Sequence, residues 1–245
     1  MPGTVKAMGK DIKGIRMKHD IVYILASDAG AEELRYSLRS VEKNFPHRKV
    51  WFFCGYPPGI EPDEHVPFIQ IGNTRWAKST STFRKIAATK GVSDDFWLFN
   101  DDFFIMKKVV DLPYMYRGDL SERVEGLRKK YNVSGYAAQL NRTRQILEDN
   151  GLGTLDYALH VPMLINKQKA LEVLDKFPKC PMFRSLYGNY WKVGGVLAKD
   201  VKVYDRGTVP KKGQTLLSTL DDSFENGNVG HYIRERFQEP SKWER

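Results

Sequence analysis

Asp95-Phe96-Trp97-Leu98-Phe99-Asn100-Asp101-Asp102-Phe103-Phe104 is the stretch that decides the reading of this chain. An apolar, aromatic run of strand length drives into two adjacent carboxylates, and apolar residues resume behind them. Carboxylates at the end of a buried strand are costly to keep ionised unless they are hydrated, paired or bound to a cation. In an extended chain alternate side chains share a face, which puts Asn100 and Asp102 on one side and Asp101 on the other. That pattern is an N-x-D clamp of hard oxygen donors suited to Mg²⁺ or Mn²⁺, ions that bind through one or two carboxylates plus the phosphates of a substrate. The competing reading is an exposed turn between two strands, held by local backbone hydrogen bonds. Against it stand Phe99, Phe103 and Phe104, where turns favour Gly, Pro or Ser.

Outward from this motif, strand and helix alternate. Ile21 to Ala26 is a continuous apolar run closing on Ser27-Asp28-Ala29-Gly30, with turn and helix-cap chemistry. The helix that follows carries Glu32 and Glu33 in its first turn and Leu34, Leu38 and Val41 at helical spacing, until Asn44 and Pro46 end it. A second strand, Val50 to Cys54, stops at Gly55-Tyr56-Pro57-Pro58-Gly59. A third strand is predicted from Val66 to Ile71, then a helix from about Ser79 to Lys90, then the acidic strand. This alternation predicts an α/β fold, a mainly parallel sheet flanked by helices.

Open sheets of this kind bind ligands beyond the carboxyl ends of their strands, so Asp28, Tyr56, Asn73 and Asn100 to Asp102 are expected to line one crevice. Neither a Walker lysine loop nor a G-x-G-x-x-G fingerprint occurs, which argues against a P-loop NTPase or a dinucleotide dehydrogenase. Phosphates would be met by a metal and by basic side chains, of which Arg75, Lys78, Arg84, Lys85 and Lys90 crowd the segment entering the motif. For Arg84 and Lys85 the plain alternative is a solvated helix face.

Composition bounds the rest. A chain of 245 residues, 41% hydrophobic, can bury one large core, and no apolar run approaches a membrane span. Cys54 and Cys180 are too few and too distant for a disulfide framework or a zinc cluster. With no apolar secretory segment at the start, the expectation is a cytoplasmic protein without membrane attachment. Residues 1–19 read as a basic tail and 20–245 as a single domain, with 20–110 as its ligand-binding half. The formal charge of +9 implies an anionic partner such as a nucleotide, a nucleic acid or a phosphorylated polymer, or simply a well-solvated basic surface.

Taken together, I-V-Y-I-L-A-S-D, E-L-R-Y-S-L-R-S-V, K-V-W-F-F-C-G, F-R-K-I-A and D-F-W-L-F-N-D-D resemble the nucleotide-binding half of GT-A glycosyltransferases. The resemblance is nearest to the small phage and bacterial transferases related to Stealth-type sugar-phosphate transferases, covers roughly residues 20–110, and extends to Leu159-His160-Val161-Pro162-Met163. It implies a Rossmann-like GT-A fold, a nucleotide-sugar donor with UDP-sugar in first place, and Mn²⁺ or Mg²⁺ as cofactor. By the same resemblance Asp102 matches the metal-binding carboxylate of the D-x-D motif and Asn100 stands where its first Asp often is. Arg84 matches a basic residue that approaches the nucleotide, and Asp28 and Tyr56 match loop positions around the base.

Such a donor loses a nucleoside diphosphate, and an inverting reaction also needs a base for the acceptor hydroxyl. Asp156, Asp221 and Asp222 are the candidates, the last two competing with a reading as a helix cap or turn. His160, inside an apolar run, is either a satisfied core histidine or a late-chain metal or acceptor ligand. Helices are predicted at Ser121 to Tyr131, Ser134 to Asn150 and Lys167 to Phe177. The aromatic stretch around Tyr187, Tyr190 and Trp191 is read either as amphipathic core or as a stacking surface for bases. Charge and aromatics together raise a hydroxymethylated pyrimidine in phage DNA as acceptor, which would place the protein in the host cytoplasm. The alternatives are a sugar-phosphate transferase, a glycan or protein glycosyltransferase, and a non-catalytic nucleic-acid-binding protein on a degenerate transferase scaffold.

Overall fold

The computed structural model describes residues 18–25, 31–131 and 135–245. Asp28 and most of the basic tail lie outside them. In chain order the elements are β1 (Asp20–Leu25), α1 (Ala31–Asn44), β2 (Val50–Cys54), β3 (Glu64–Val66), α2 (Arg75–Ala88), β4 (Asp95–Phe99) and β5 (Phe103–Ile105). Then come β6 (Met115–Tyr116), α3 (Leu120–Tyr131), α4 (Gly135–Asp149), β7 (Met163–Asn166), α5 (Lys167–Lys176) and α6 (Phe183–Tyr190). The last are β8 (Val196–Leu197), β9 (Lys202–Val203), β10 (Leu216–Thr219), α7 (Asp221–Asn226) and α8 (Asn228–Arg236).

The main sheet runs in the order β3-β2-β1-β4-β7. The first four strands are parallel, and β7 adds antiparallel to β4 with Leu98 opposite Met163. The sheet is mainly parallel and flanked by helices, as the sequence predicts.

Past the aspartates that begin β1 and β4, its central strands are apolar because both faces are covered. Successive residues alternate between two cores: Val22, Phe53, Phe96 and Leu98 face α2, α5 and α6, while Ile21, Tyr23, Phe52 and Phe99 face Leu34, Leu38 and Val41 of α1. A smaller sheet, β5-β10-β9, is backed by Phe224, Val229 and Ile233 of α7 and α8.

Three local readings are corrected. The third strand occupies Glu64–Val66 rather than Val66 to Ile71, because Pro67 has no N–H to continue a ladder. The following helix starts at Arg75, four residues early, because the Thr74 side chain caps it by accepting from the Ala77 amide at 3.2 Å. Finally, β4 ends at Phe99, and Asn100 to Asp102 form a tight turn in which the Phe103 amide donates to the Asn100 carbonyl at 3.3 Å. Alternation of faces therefore does not apply to the motif, and the turn reading was half right: a turn, but not an exposed one at Asp102.

Candidate functional site

In the order β3-β2-β1-β4, the chain leaves β1 toward one side and returns to its other side with β4, which makes the carboxyl ends of β1 and β4 the switch point of the sheet. The Asn100–Asp102 turn sits on that edge. Its three side chains differ. Asn100 is exposed, Asp101 is half-buried, and Asp102 is 8% exposed. Asp102 Oδ2 accepts from Lys202 Nζ and from Ser218 Oγ, both at 2.9 Å. Its other oxygen, Oδ1, is buried without a hydrogen-bond partner. Burial pushes the Asp101 carboxyl above the usual range, and the charge of Asp102 adds to it.

A further carboxylate completes this acidic corner. Glu33, in the first turn of α1, accepts from Thr219 Oγ1 at 2.7 Å, so consecutive hydroxyls of β10 hold Asp102 and Glu33. Burial raises Glu33 to about 7 against the opposing hydrogen bond from Thr219, helped by the charges of Asp102, Asp101 and Asp221. Asp221 and Asp222 form the first turn of α7, as the cap-or-turn reading had it. Asp222 is ion-paired with Arg206 at 2.6 Å and Asp221 is exposed.

Next to the acidic corner lies a half-buried polar network. Asp200, two residues before Lys202, bonds His160 Nδ1 at 2.9 Å and accepts from the His160 amide at 3.2 Å. Arg117 bridges Asp200 and Asp156 at 2.9 and 2.8 Å. Burial would raise the Asp200 carboxyl, but the hydrogen bond and charge of His160 and the charge of Arg117 outweigh it and hold the group at about 2. Burial likewise lowers Arg117, and Asp156 and Asp200 reverse the sign. Asp156 is fully buried, with Oδ2 on Arg117 and Oδ1 on the Ala158 amide. Arg184 is half-buried, donating to the carbonyls of Leu159 and Val161. Burial pulls it down to about 10 against the nearby charges of Asp102 and Asp200, so it stays a cation at neutral pH.

The remaining sequence candidates are scattered. Tyr56, after β2, is exposed and packs on His65 with ring centroids 4.8 Å apart. Asn73, exposed, precedes α2. Arg84 is ion-paired with Asp175 of α5 at 2.6 Å, and Lys85 lies in the last turn of α2, toward the opposite end of the helix from the carboxyl edge of the sheet. The aromatic stretch is core rather than a stacking surface: Tyr187 is buried, Tyr190 donates to Glu172, and Trp191 donates to the Lys169 carbonyl. Glu33, Asp200, Lys202, Ser218, Thr219 and Arg184 were all missed. Only Glu33 gave any signal, and its place in a first turn reads as ordinary dipole complementarity.

A divalent cation suits this corner only in part. Among the described residues no three His, Cys, Asp or Glu side chains come together as a metal cage. The bare, buried Oδ1 of Asp102, with Asp101 and Asn100 on the same turn, is nonetheless a fitting donor set for an ion that completes its shell with substrate phosphates. His160 has its Nδ1 committed to Asp200.

Among the described residues no helix is long and apolar enough to cross a membrane. No family model and no curated protein matches the chain. Similar solved structures include the apo form of the glycosyltransferase GlyE of Streptococcus pneumoniae TIGR4, at 13% identity and a TM-score of 0.45, covering 91% of this chain. The chain spans 61% of that protein's length. Another is the galactosyltransferase LgtC in complex with donor and acceptor sugar analogues, at 15% identity and a TM-score of 0.37, covering 69% of this chain and 68% of LgtC.

Proposed function

We propose that the protein is a glycosyltransferase that seats the diphosphate of a nucleotide-sugar donor against the Asn100–Asp102 turn and passes the sugar to a hydroxyl acceptor. The observation that carries this reading is Asp102: a buried carboxylate at the switch point of the sheet, one oxygen on Lys202 and Ser218, the other bare. A fully structural carboxylate would satisfy both oxygens. Mn²⁺ or Mg²⁺, held by Asp102 with Asp101 and Asn100, would supply Lewis-acid stabilisation to the departing diphosphate. Lys202 and Arg184 add fixed positive charge behind it, where the leaving group gains negative charge. We assign Tyr56 and Asn73, exposed on loops of the same strand ends, to the nucleoside, for which we take uridine first. Arg84 and Lys85 are assigned no donor contact, since the partner of Arg84 is Asp175.

The acceptor half, residues 111–245, contributes His160, Asp200 and Lys202. We assign it a glycan or protein hydroxyl. A DNA acceptor keeps only the net charge in its favour, because the aromatic residues that would stack on bases are packed into the protein.

The test is release of nucleoside diphosphate from a panel of nucleotide sugars, with Mn²⁺ or Mg²⁺ and after chelation. Metal-dependent release that is lost in Asp102→Asn supports the reading. Release of nucleoside monophosphate would identify a sugar-phosphate transferase instead. No release from any donor, with salt-sensitive DNA binding, would favour a non-catalytic nucleic-acid-binding protein.

A further inference from the structure

We infer that His160, oriented by Asp200, is the base that takes the proton from the acceptor hydroxyl, making the transfer a single inverting displacement. The inference rests on the transferase reading above and adds to it the residue that activates the acceptor.

Position comes first. Met163 of β7 lies opposite Leu98 of β4, and the two strands run antiparallel. The chain before Met163 and the chain after Leu98 therefore meet the sheet at the same edge, which puts His160 beside the Asn100–Asp102 turn. The segment entering β9 ties the two together, because Asp200 holds His160 and Lys202 holds Asp102. Arg184, half-buried, feels the charges of both Asp102 and Asp200.

Orientation follows. A carboxylate only accepts hydrogen bonds, so the 2.9 Å contact from Asp200 places the imidazole proton on Nδ1. The second contact, from the His160 amide to the same carboxylate, fixes the ring against its own backbone. In the neutral ring this leaves the lone pair on Nε2, which has no partner among the described residues, on a side chain 29% exposed. Arg117 donates to Asp200 Oδ2, the same oxygen that His160 Nδ1 contacts, and so holds the carboxylate in place. This is the base-and-orienter arrangement used to activate hydroxyls.

The other candidates fit less well. Asp156 is sealed, Asp222 is paired with Arg206, and Glu33 shares the hydroxyl ladder of Asp102 and so belongs to the leaving-group side. In the step itself the acceptor oxygen bonds to the anomeric carbon as the bond from that carbon to the diphosphate oxygen breaks. Its electron pair leaves with the nucleoside diphosphate. The hydroxyl proton passes to His160 Nε2, and Asp200 stabilises the resulting imidazolium.

The experiment uses donor hydrolysis, with water as the acceptor, on a nucleotide sugar that the unmodified protein turns over. His160→Ala should lower kcat about 100-fold with donor KM within about twofold. Imidazole in solution should restore part of that rate, and should not restore Asp102→Asn. Asp200→Asn, which keeps the shape but loses the charge, should lower kcat about tenfold at unchanged KM, the mark of a positioning residue. NMR of the released sugar should show the inverted anomer first. Folding is checked by thermal unfolding and by calorimetric binding of the nucleoside diphosphate, with His160→Gln in reserve should the alanine variant not fold. A kcat within threefold of the unmodified protein, a retained anomer, or a loss that imidazole does not restore and that raises KM would each overturn the assignment. If the unmodified protein turns over no donor, the transferase reading falls and this inference with it; if it does, and His160→Ala matches it, only this inference falls.

Discussion

Two buried aspartates stand at opposite edges of the same sheet, and they are treated differently. Asp20, at the start of β1, is wholly buried and receives Arg48 Nε at 2.8 Å and Nη2 at 2.5 Å, Trp51 Nε1 at 3.0 Å and the Ser93 amide at 2.8 Å. Asp102, just past the end of β4, has one oxygen fully engaged and the other bare. Satisfying every lone pair is how a protein makes a buried carboxylate serve the fold. Leaving one unsatisfied costs stability, and the cost is reasonable where a ligand completes the set. The amino edge of the sheet is thus a structural clasp, and the carboxyl edge is unfinished in the way a binding site is.

The sharpest way to break this contrast is to neutralise each carboxylate in turn. Asp102→Asn should lower kcat for donor hydrolysis by about 100- to 1,000-fold while costing no more than about 2 kcal/mol of stability, since Lys202 keeps an amide oxygen to bond. Near-normal turnover in that variant at saturating donor would remove Asp102 from the site. Asp20→Asn should do the opposite, costing about 3 kcal/mol in denaturant unfolding because Arg48 and Trp51 lose a charged acceptor, with donor KM and kcat unchanged wherever the protein remains folded. A kinetic defect in folded Asp20→Asn would show that the two edges are not separable.

The acidic corner predicts a pH signature. Glu33 has a folded pKa of about 7, above its ordinary 4.5. Folding therefore favours its protonated form, and this contribution is fully present below about pH 4.5 and lost as pH rises through 7. Thermal unfolding of the unmodified protein should weaken by about 2 kcal/mol between pH 5 and 8, and Glu33→Gln should flatten that window. An unchanged slope in Glu33→Gln would mean that the corner is better hydrated than its burial indicates.

The smallest effect is expected at Lys202. Lys202→Met keeps the stem and removes the ammonium, and should raise donor KM about tenfold through loss of a charge that the proposed site sets against the diphosphate. Donor affinity that stays the same in Lys202→Met would confine this lysine to neutralising Asp102.

Much of the scaffold was legible because its strands are buried on both faces. Uninterrupted runs such as Ile21-Val22-Tyr23-Ile24-Leu25 and Val50-Trp51-Phe52-Phe53 have few other ways to hide from water, and α1 declared itself through Leu34, Leu38 and Val41 on one stripe. Errors fell where local chemistry overrides pattern: Pro67 ended β3, and Thr74 began α2 early. At the site, the acidic turn was readable because carboxylates among phenylalanines are conspicuous. The motif's geometry was not, since a strand and a tight turn differ there by one backbone hydrogen bond.

The sequence by itself determined the alternation of apolar strands and amphipathic helices, and it placed a costly acidic motif at the end of a strand. Both are local consequences of which side chains avoid water and which demand it. Only the tertiary structure decided what those carboxylates meet. Lys202 lies 100 residues from Asp102, Ser218 lies 116 from it, and Thr219 lies 186 from Glu33. No periodicity or propensity carries information over such separations. The partners of a buried charge are chosen by how β9, β10 and α6 pack against the carboxyl edge of the sheet, and that packing is a property of the whole chain.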